Sequence, residues 1–311
     1  MDENLTIAKV SIIIVSWNSA GDLRRCLASV DRSLGRENIE VIVVDNGSRD
    51  ESPQLDSEFP NINLLRLPRN FGMVKALNMG MKTATGDLFF FLQPEVELMP
   101  ETVNDLVSRL ETSADATAVC PTVVNPEGLV LSGFRALPSP EELCRAWRDE
   151  DFTDWRTPIA ASDCVVVDYV KNSPMMARAQ FLRGMHYIDE RYGNSWWDLE
   201  LCYQIRHAGK KILLLPDVKV LIHPGRQDAG AGAMSARSRA LLSADRALSA
   251  AVFVRKHFGL AAGLKFRFAV TWRAFLRAIA SLAGFRNVSH HVSLFGYLLS
   301  GQKLDGTQSL F

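Results

Sequence analysis

Three short segments carry residues with the chemistry to hold a charged ligand. Ser16-Trp17-Asn18 follows one apolar run, Asp45-Asn46-Gly47-Ser48-Arg49-Asp50 a second, and Gln93-Pro94-Glu95-Val96-Glu97 a third. A carboxylate just past a buried strand can accept from the N–H of a base or from a ribose hydroxyl. Two acids near a third strand end can hold a divalent ion that neutralises a diphosphate. The same residue types also cap helices, and Asn46 or Ser48 suits that role as well as ligand binding. Asp198 stands before a helical run and suits a helix cap, and Glu200 and Glu97 read as solvated surface acids. His223 ends an apolar run, where a histidine is either a hydrogen-bonded structural group or a ligand. No G-x-G-x-x-G or G-x-x-x-x-G-K-[ST] follows the first run, which argues against a dinucleotide enzyme or a P-loop NTPase.

Strands must position these segments. Val10–Val15, Ile39–Val44 and Asp87–Leu92 are continuous apolar runs, the pattern of strands buried on both faces. Ile62–Leu67 reads as a shorter strand, and Asp22–Val30, Met73–Ala84 and Leu98–Leu110 have helical spacing. The alternation predicts an α/β fold, a mostly parallel sheet with helices on both faces, and ligands in such sheets bind at the carboxyl ends of strands. Residues from about Asn125 to Ala161 read as acidic loop. Val165–Val170 and Pro174–Ala177 read as strands, Leu199–Ala208 as a helix, and Ile212–Leu215 and Val218–Ile222 as short apolar runs around Pro216-Asp217. Gly225–Gly232 reads as a mobile loop.

The chain of 311 residues is 47% hydrophobic and 23% charged, which excludes a disordered or low-complexity protein. Its formal charge is zero but unevenly spread: Arg246 to Lys303 holds nine Lys or Arg and no acid, so the remainder is net acidic. Five cysteines without a C-x-x-C point to a reducing compartment, not a disulfide framework or structural zinc. The first residues lack an apolar leader, and no uncharged run reaches the roughly 18–20 residues that span a bilayer. The expected location is the cytoplasm.

In order and spacing these segments resemble the family-2 glycosyltransferases of the GT-A fold, especially the bacterial rhamnosyltransferase-like branch. The resemblance runs through Val15-Ser16-Trp17-Asn18, Asp45-Asn46-Gly47-Ser48, Asn70-Phe71-Gly72, Asn78-Met79-Gly80 and Thr85-Gly86-Asp87. It resumes at Asp168-Tyr169-Val170, Ile188-Asp189-Glu190, Asp198-Leu199-Glu200, Arg206-His207-Ala208-Gly209 and Ile222-His223-Pro224-Gly225. It implies an inverting transfer of a sugar from a nucleotide-diphospho-sugar, a UDP- or dTDP-sugar, to a glycan or lipid-linked acceptor of the cell envelope. Asp45 then resembles the base-reading aspartate, with Ser16, Trp17, Asn18, Asn46 and Ser48 beside it and Asn70, Gly72, Asn78 and Gln93 near the nucleotide sugar. Glu95 stands at the last acid of the metal-binding D-x-D, with His223 as the second implied metal residue, near the diphosphate with Arg226, so the implied cofactor is Mg²⁺ or Mn²⁺. Asp198 matches the general base. Trp196 and Trp197 read as pocket walls that stack on an acceptor sugar, since two adjacent tryptophans cannot both face inward on a helix. This chain departs from the family at Gln93-Pro94-Glu95, at Trp197 in place of the glutamate before the base, and at Asn172-Ser173 in place of a glycine-alanine pair. Those departures leave a catalytically weak or inactive relative that binds nucleotide sugar or glycan as the alternative. A nucleotidyltransferase is disfavoured, because no glycine-rich basic loop follows the first strand.

The expected organisation is a GT-A domain over 1–240 and a basic, amphipathic helical tail over 241–311. In the tail Phe268, Trp272, Phe275, Ile279 and Leu282 share one stripe, with Arg273 and Arg277 opposite. Either the stripe packs on the catalytic domain or the tail lies on an anionic membrane, which its charge favours. The acidic body and the apolar stripe argue against nucleic acid. The expected location becomes cytoplasmic and peripheral on the inner face of the cell membrane.

Overall fold

The computed structural model describes residues 8–149, 152, 154–158, 164–170, 173–223, 235–284 and 287–302. The Gly225–Gly232 loop, Arg226 and Asn172 lie outside the described residues. Strands β1 (Val10–Ser16), β2 (Ile39–Asp45), β3 (Ile62–Arg66) and β4 (Leu88–Leu92) pair in parallel in the order β3-β2-β1-β4. Beyond β4 the sheet is mixed. Strand β10 (Met175–Arg178) runs antiparallel between β4 and β6 (Ala116–Val124), β11 (Lys211–Ile222) is parallel to β6, and β5 (Val96–Leu98) and β8 (Val165–Val167) flank β11 antiparallel.

Period-two alternation sends each strand's side chains to two separate cores. Ile12, Ile14, Val41, Val43 and Phe90 pack with α1 (Ala20–Asp31) and α3 (Thr102–Glu111). Ile13, Ile42, Val44, Phe89 and Phe91 pack on the other face with α2 (Met73–Thr83) and α6 (Trp197–His207). This two-sided burial explains the uninterrupted apolar runs.

Several elements differ from the sequence reading. β6 went unread, although all nine of its residues are buried, because Cys120-Pro121 breaks its β-branched pattern. Pro121 is tolerated beside a register shift in β11 between Leu215 and Lys219, where the ladder is already irregular. The same bulge carries Pro216-Asp217, so the two short apolar runs on either side of it form one strand. Val165–Val170 instead splits into β8 and β9 (Tyr169–Val170), which pairs with β7 (Phe134–Arg135), because Asp168 turns to the Arg206 guanidinium at 2.7 Å. The acidic stretch read as loop holds α4 (Pro140–Asp149), which buries Leu143, Ala146 and Trp147. A short helix, α5 (Ala179–Gly184), follows β10.

The tail forms α7 (Ala236–Phe258), α8 (Leu260–Gly284) and α9 (Val288–Ser300). The boundary expected between 240 and 241 falls inside α7, whose Ala240, Ala244, Leu248 and Phe253 belong to the same core as Leu201 and Ile205 of α6.

One close approach sets the distance of α2 from the sheet. A Cβ on Gly80 would sit 2.6 Å from Ile13 Cγ2 and 3.2 Å from Val44 Cγ2. Alanine gains about 1 kcal/mol of helix propensity there, but overpacking a two-sided core contact outweighs it. Gly80→Ala is expected to lower stability by a net of about 1–2 kcal/mol in urea unfolding. Gly184→Ala, whose Cβ meets nothing within 4 Å, serves as the control and leaves stability undiminished.

Candidate active site

The carboxyl ends of β1, β2 and β4 bring the first two predicted segments together. Ser16 and Asp45 are register partners at the ends of β1 and β2. Asp45 is 1% exposed. Its Oδ2 accepts from the Ser48 amide at 3.2 Å, and its Oδ1 has no hydrogen-bond partner among the described residues. Burial pushes the Asp45 carboxyl above the usual aspartate range; the Ser48 hydroxyl and amide pull it part of the way back, and Asp50 repels it.

The neighbouring polar residues hold loops in place. Asn18 adopts φ 52°, accepts from the Arg49 amide at 2.8 Å and donates its own amide to Ser48 Oγ at 2.9 Å. Asp50 caps α1 from across the cleft, accepting from the Ala20 amide at 2.9 Å. Ser16 Oγ lies 2.8 Å from Ser19 Oγ. Asn46 donates to Asn70 Oδ1 at 3.1 Å and to the Gly72 carbonyl at 3.3 Å, and accepts from the Phe71 amide at 2.9 Å. The turn itself needs Gly47: at φ 76° a Cβ would lie 2.5 Å from the Arg69 backbone. Trp17 packs against Leu241 of α7, which Tyr297 of α9 also covers, so the tail reaches the end of β1. Asn78 lies apart from this group. Its amide donates to the Ile188 carbonyl at 2.7 Å and accepts from the Ile188 amide at 3.1 Å, which ties α2 to the Ile188-Asp189-Glu190 segment.

At the third strand end Gln93 and Glu95 are half-buried. Burial raises the Glu95 carboxyl, and repulsion from Asp22 of α1 adds to it. His223 is tied to this segment by its amide, which donates to the Glu95 carbonyl at 3.0 Å. Its ring, however, is taken: Nε2 donates to Glu97 Oε2 at 2.8 Å, and Arg32 donates to the other Glu97 oxygen at 3.0 Å. Glu97 is therefore a paired, half-buried acid and not a solvated one. Among the described residues no three His, Cys, Asp or Glu side chains form a group that could hold a metal by themselves.

Asp198 sits in the first turn of α6 and is 8% exposed. Its Oδ1 accepts from the Leu199 amide at 2.9 Å and its Oδ2 from the Tyr169 hydroxyl at 3.2 Å. The helix N-terminus favours its ionised form. Trp196 departs from the expectation. It precedes α6 in the left-handed region at φ 68° and is 6% exposed. Its indole N–H donates to the Arg246 carbonyl at 2.9 Å, with the Arg246 guanidinium 5.2 Å from the ring centroid and Phe152 packed edge-on. The left-handed turn lets Trp196 point into the core while Trp197 stays half-buried against Phe91 at 5.8 Å, so adjacent tryptophans do share the interior.

Glu200, read as solvated, has no exposed surface. Four side chains converge on it: Tyr192 Oη at 2.7 Å, Gln204 Nε2 at 2.8 Å, Lys256 Nζ at 2.7 Å and His257 Nε2 at 2.6 Å. Burial alone would raise its pKa, but the donors, His257 first, outweigh burial and hold it at about 2. A second joint lies beside it, where Asp245 of α7 accepts from the Asn194 amide at 2.8 Å. Tyr169 is legible in the sequence, because it stands in the Asp168-Tyr169-Val170 segment that carries the family resemblance. Lys256 and His257 could not, because nothing in the sequence links them to a residue 56 positions away.

Residues 11–164 match the glycosyl transferase family 2 model. Together with the mixed α/β sheet, this identifies residues 11–164 as a family-2 glycosyltransferase domain. An N-acetylglucosaminyl-diphospho-decaprenol L-rhamnosyltransferase of Mycobacterium tuberculosis is 25% identical over 261 residues, 76% of this chain and 84% of that protein. A dolichol-phosphate mannosyltransferase of Pyrococcus furiosus is 29% identical over 111 residues, and the match spans only 31% of its length. Among solved structures, GalNAc-T7 with UDP, GalNAc and Mn²⁺ aligns at TM-score 0.58 and 16% identity, covering 71% of this chain and 45% of that one. S. aureus TarS with UDP-GlcNAc aligns at TM-score 0.55 and 17% identity, covering 94% and 92%. These likenesses establish the fold.

The Glu200 cage makes a pH-dependent contribution. A carboxyl depressed from 4.5 to about 2 in the folded chain binds its proton first in the unfolded chain. The stability is therefore present above about pH 4.5 and is lost as the pH falls toward 2. Glu200→Gln is expected to cost about 3–5 kcal/mol at pH 7, because it removes the charged acceptor on which Tyr192, Lys256 and His257 converge in a buried site. Denaturant midpoints across the acid range are expected to flatten in the variant relative to the parent.

Proposed function

We propose that the protein transfers a sugar, with inversion, from a UDP- or dTDP-sugar to a hydroxyl of a glycan or lipid-linked acceptor. The observation that carries this reading is Asp45: a buried carboxylate oxygen without a partner among the described residues, at the strand edge where α/β sheets take ligands. A uracil or thymine presents one ring N–H that such an oxygen can accept. Ser16, Trp17, Asn18 and Ser48 line that edge, while Asn46, Asn70 and Gly72 keep its loops in register. The name of the Mycobacterium tuberculosis relative, a transferase onto a lipid diphosphate, supports the acceptor class. Such an acceptor puts the reaction at the cytoplasmic face of a membrane.

The residues at the third strand end fit a divalent cation. Glu95 and Asp22 repel one another in a half-buried setting, and hard oxygen donors of this kind suit Mg²⁺ or Mn²⁺, which take one or two carboxylates and complete their shell from phosphate and water. His223 would contribute through its hold on the Glu95 segment, since its ring is engaged by Glu97. When bound, the ion would neutralise charge on the departing diphosphate. GalNAc-T7, of the same fold, was crystallised with UDP and Mn²⁺.

The chain's own part in the displacement falls to Asp198. Tyr169 and the Leu199 amide hold its two oxygens at the start of α6. Asp198 takes the hydroxyl proton as that oxygen bonds to the anomeric carbon and the bond to the diphosphate breaks. Trp197, half-buried beside it, is the aromatic placed to touch the acceptor.

Asp198→Asn keeps the shape and removes the base. Transfer from the donor that binds is expected to fall by roughly 10²–10⁴-fold, with UDP or dTDP affinity unchanged by calorimetry. Transfer at the parent rate would reduce Asp198 to a helix cap. A parent that binds a donor yet transfers to no acceptor would favour the inactive relative, with Gln93-Pro94-Glu95 as its cause.

A further inference from the structure

Helix α8 buries one side and leaves the other bare. Phe266, Val270, Ala274 and Ala278 face the molecule. On the outer side Leu264 is 59% exposed, Phe268 70%, Trp272 49%, Ile279 49% and Leu282 54%. The aromatic rings form a continuous surface: Phe268 stacks on Trp272 with centroids 6.3 Å apart, and Trp272 meets Phe275 at 5.4 Å. Helix α9 extends the surface with Val292 and Leu299, 44% and 65% exposed. The stripe therefore does not pack on the catalytic domain, and a contiguous apolar patch of this kind marks a contact surface.

Charge identifies what covers it. Nine Lys or Arg and no Asp or Glu lie between Arg246 and Lys303; Lys256 is paired with Glu200, while Lys265, Arg267 and Arg277 are exposed on α8 itself. Two copies of such a tail would repel, whereas an anionic surface attracts it. No helix among the described residues is long and apolar enough to cross a membrane, so a helix of this composition lies in the interface plane. Its position relative to the site is fixed from behind. α7 ends one residue before α8 begins, and Lys256, His257 and Asp245 lock α7 to the segment that carries Asp198, while Leu241 touches Trp17.

We propose that the outer face of α8, continued by α9, is the surface by which this protein lies on an anionic bilayer. The proposal deepens the transfer reading and rests on it only for its purpose, to meet a lipid-linked acceptor at the plane where that acceptor resides. The test is co-sedimentation of the full chain with vesicles of phosphatidylcholine plus phosphatidylglycerol, and of phosphatidylcholine alone. The parent is expected to pellet with the anionic vesicles and to be released by high salt. The triple variant Phe268→Ser, Trp272→Ser, Ile279→Ser removes only exposed side chains and is expected to lower partitioning by roughly tenfold or more, with its thermal midpoint and UDP affinity unchanged. Equal pelleting of parent and variant, or a parent that stays in the supernatant, would overturn the proposal. So would light scattering that finds a parent dimer and a monomeric variant, which would assign the face to a second copy. A parent that binds vesicles but no nucleotide sugar would leave the membrane face standing and end the transfer reading.

Discussion

Glu200 has no exposed surface, and a carboxylate in that position must be met by donors or give up its charge. The four donors come from the loop before α6, from α6 itself and from α7, so the charge is satisfied only when those three parts are assembled. That condition joins α7 to the core that α6 belongs to. It also fixes the first turn of α6, two residues from Glu200, where Asp198 stands between the Tyr169 hydroxyl and its own helix backbone. A buried ion pair adds little net stability compared with well-packed apolar residues. What the cage contributes is a single arrangement for the segment that carries Asp198.

The same economy of polar contacts explains most of the short segments by which the chain resembles its family. Asn78 locks α2 to the Ile188 backbone, Gly80 admits Ile13, Asp168 holds Arg206, and Asn46 joins the loops at Asn70 and Gly72. These residues keep two carboxylates in position and need not touch a ligand. Asp45 and Glu95 differ from them: burial raises both, and neither has the ring of donors that steadies Glu200. A bound base and a bound cation would supply what each lacks.

The parallel half of the fold was legible because its strands are buried on both faces and therefore apolar without interruption. β6 and α4 were not, because Pro121 interrupts one and the other is mostly polar with a narrow buried stripe. Of the site, Asp45 and Asp198 stood out through their place at the end of a strand and the start of a helix. The solvated reading of Glu200 failed because its partners are distant in sequence, and the outward reading of Trp196 failed because a left-handed residue before the helix reversed its direction. The tail's stripe was visible by period, but only the packing of α7, α8 and α9 shows which side faces out.

The account stands most directly on where the donor sits. The decisive measurement is a crystal structure of this chain with UDP or dTDP and Mn²⁺. The account predicts the pyrimidine N–H within hydrogen-bond distance of Asp45 Oδ1 and the anomalous signal of manganese beside Glu95. A nucleotide bound away from the β1–β2 edge, or manganese held at Glu97 and His223 with Glu95 untouched, would contradict it.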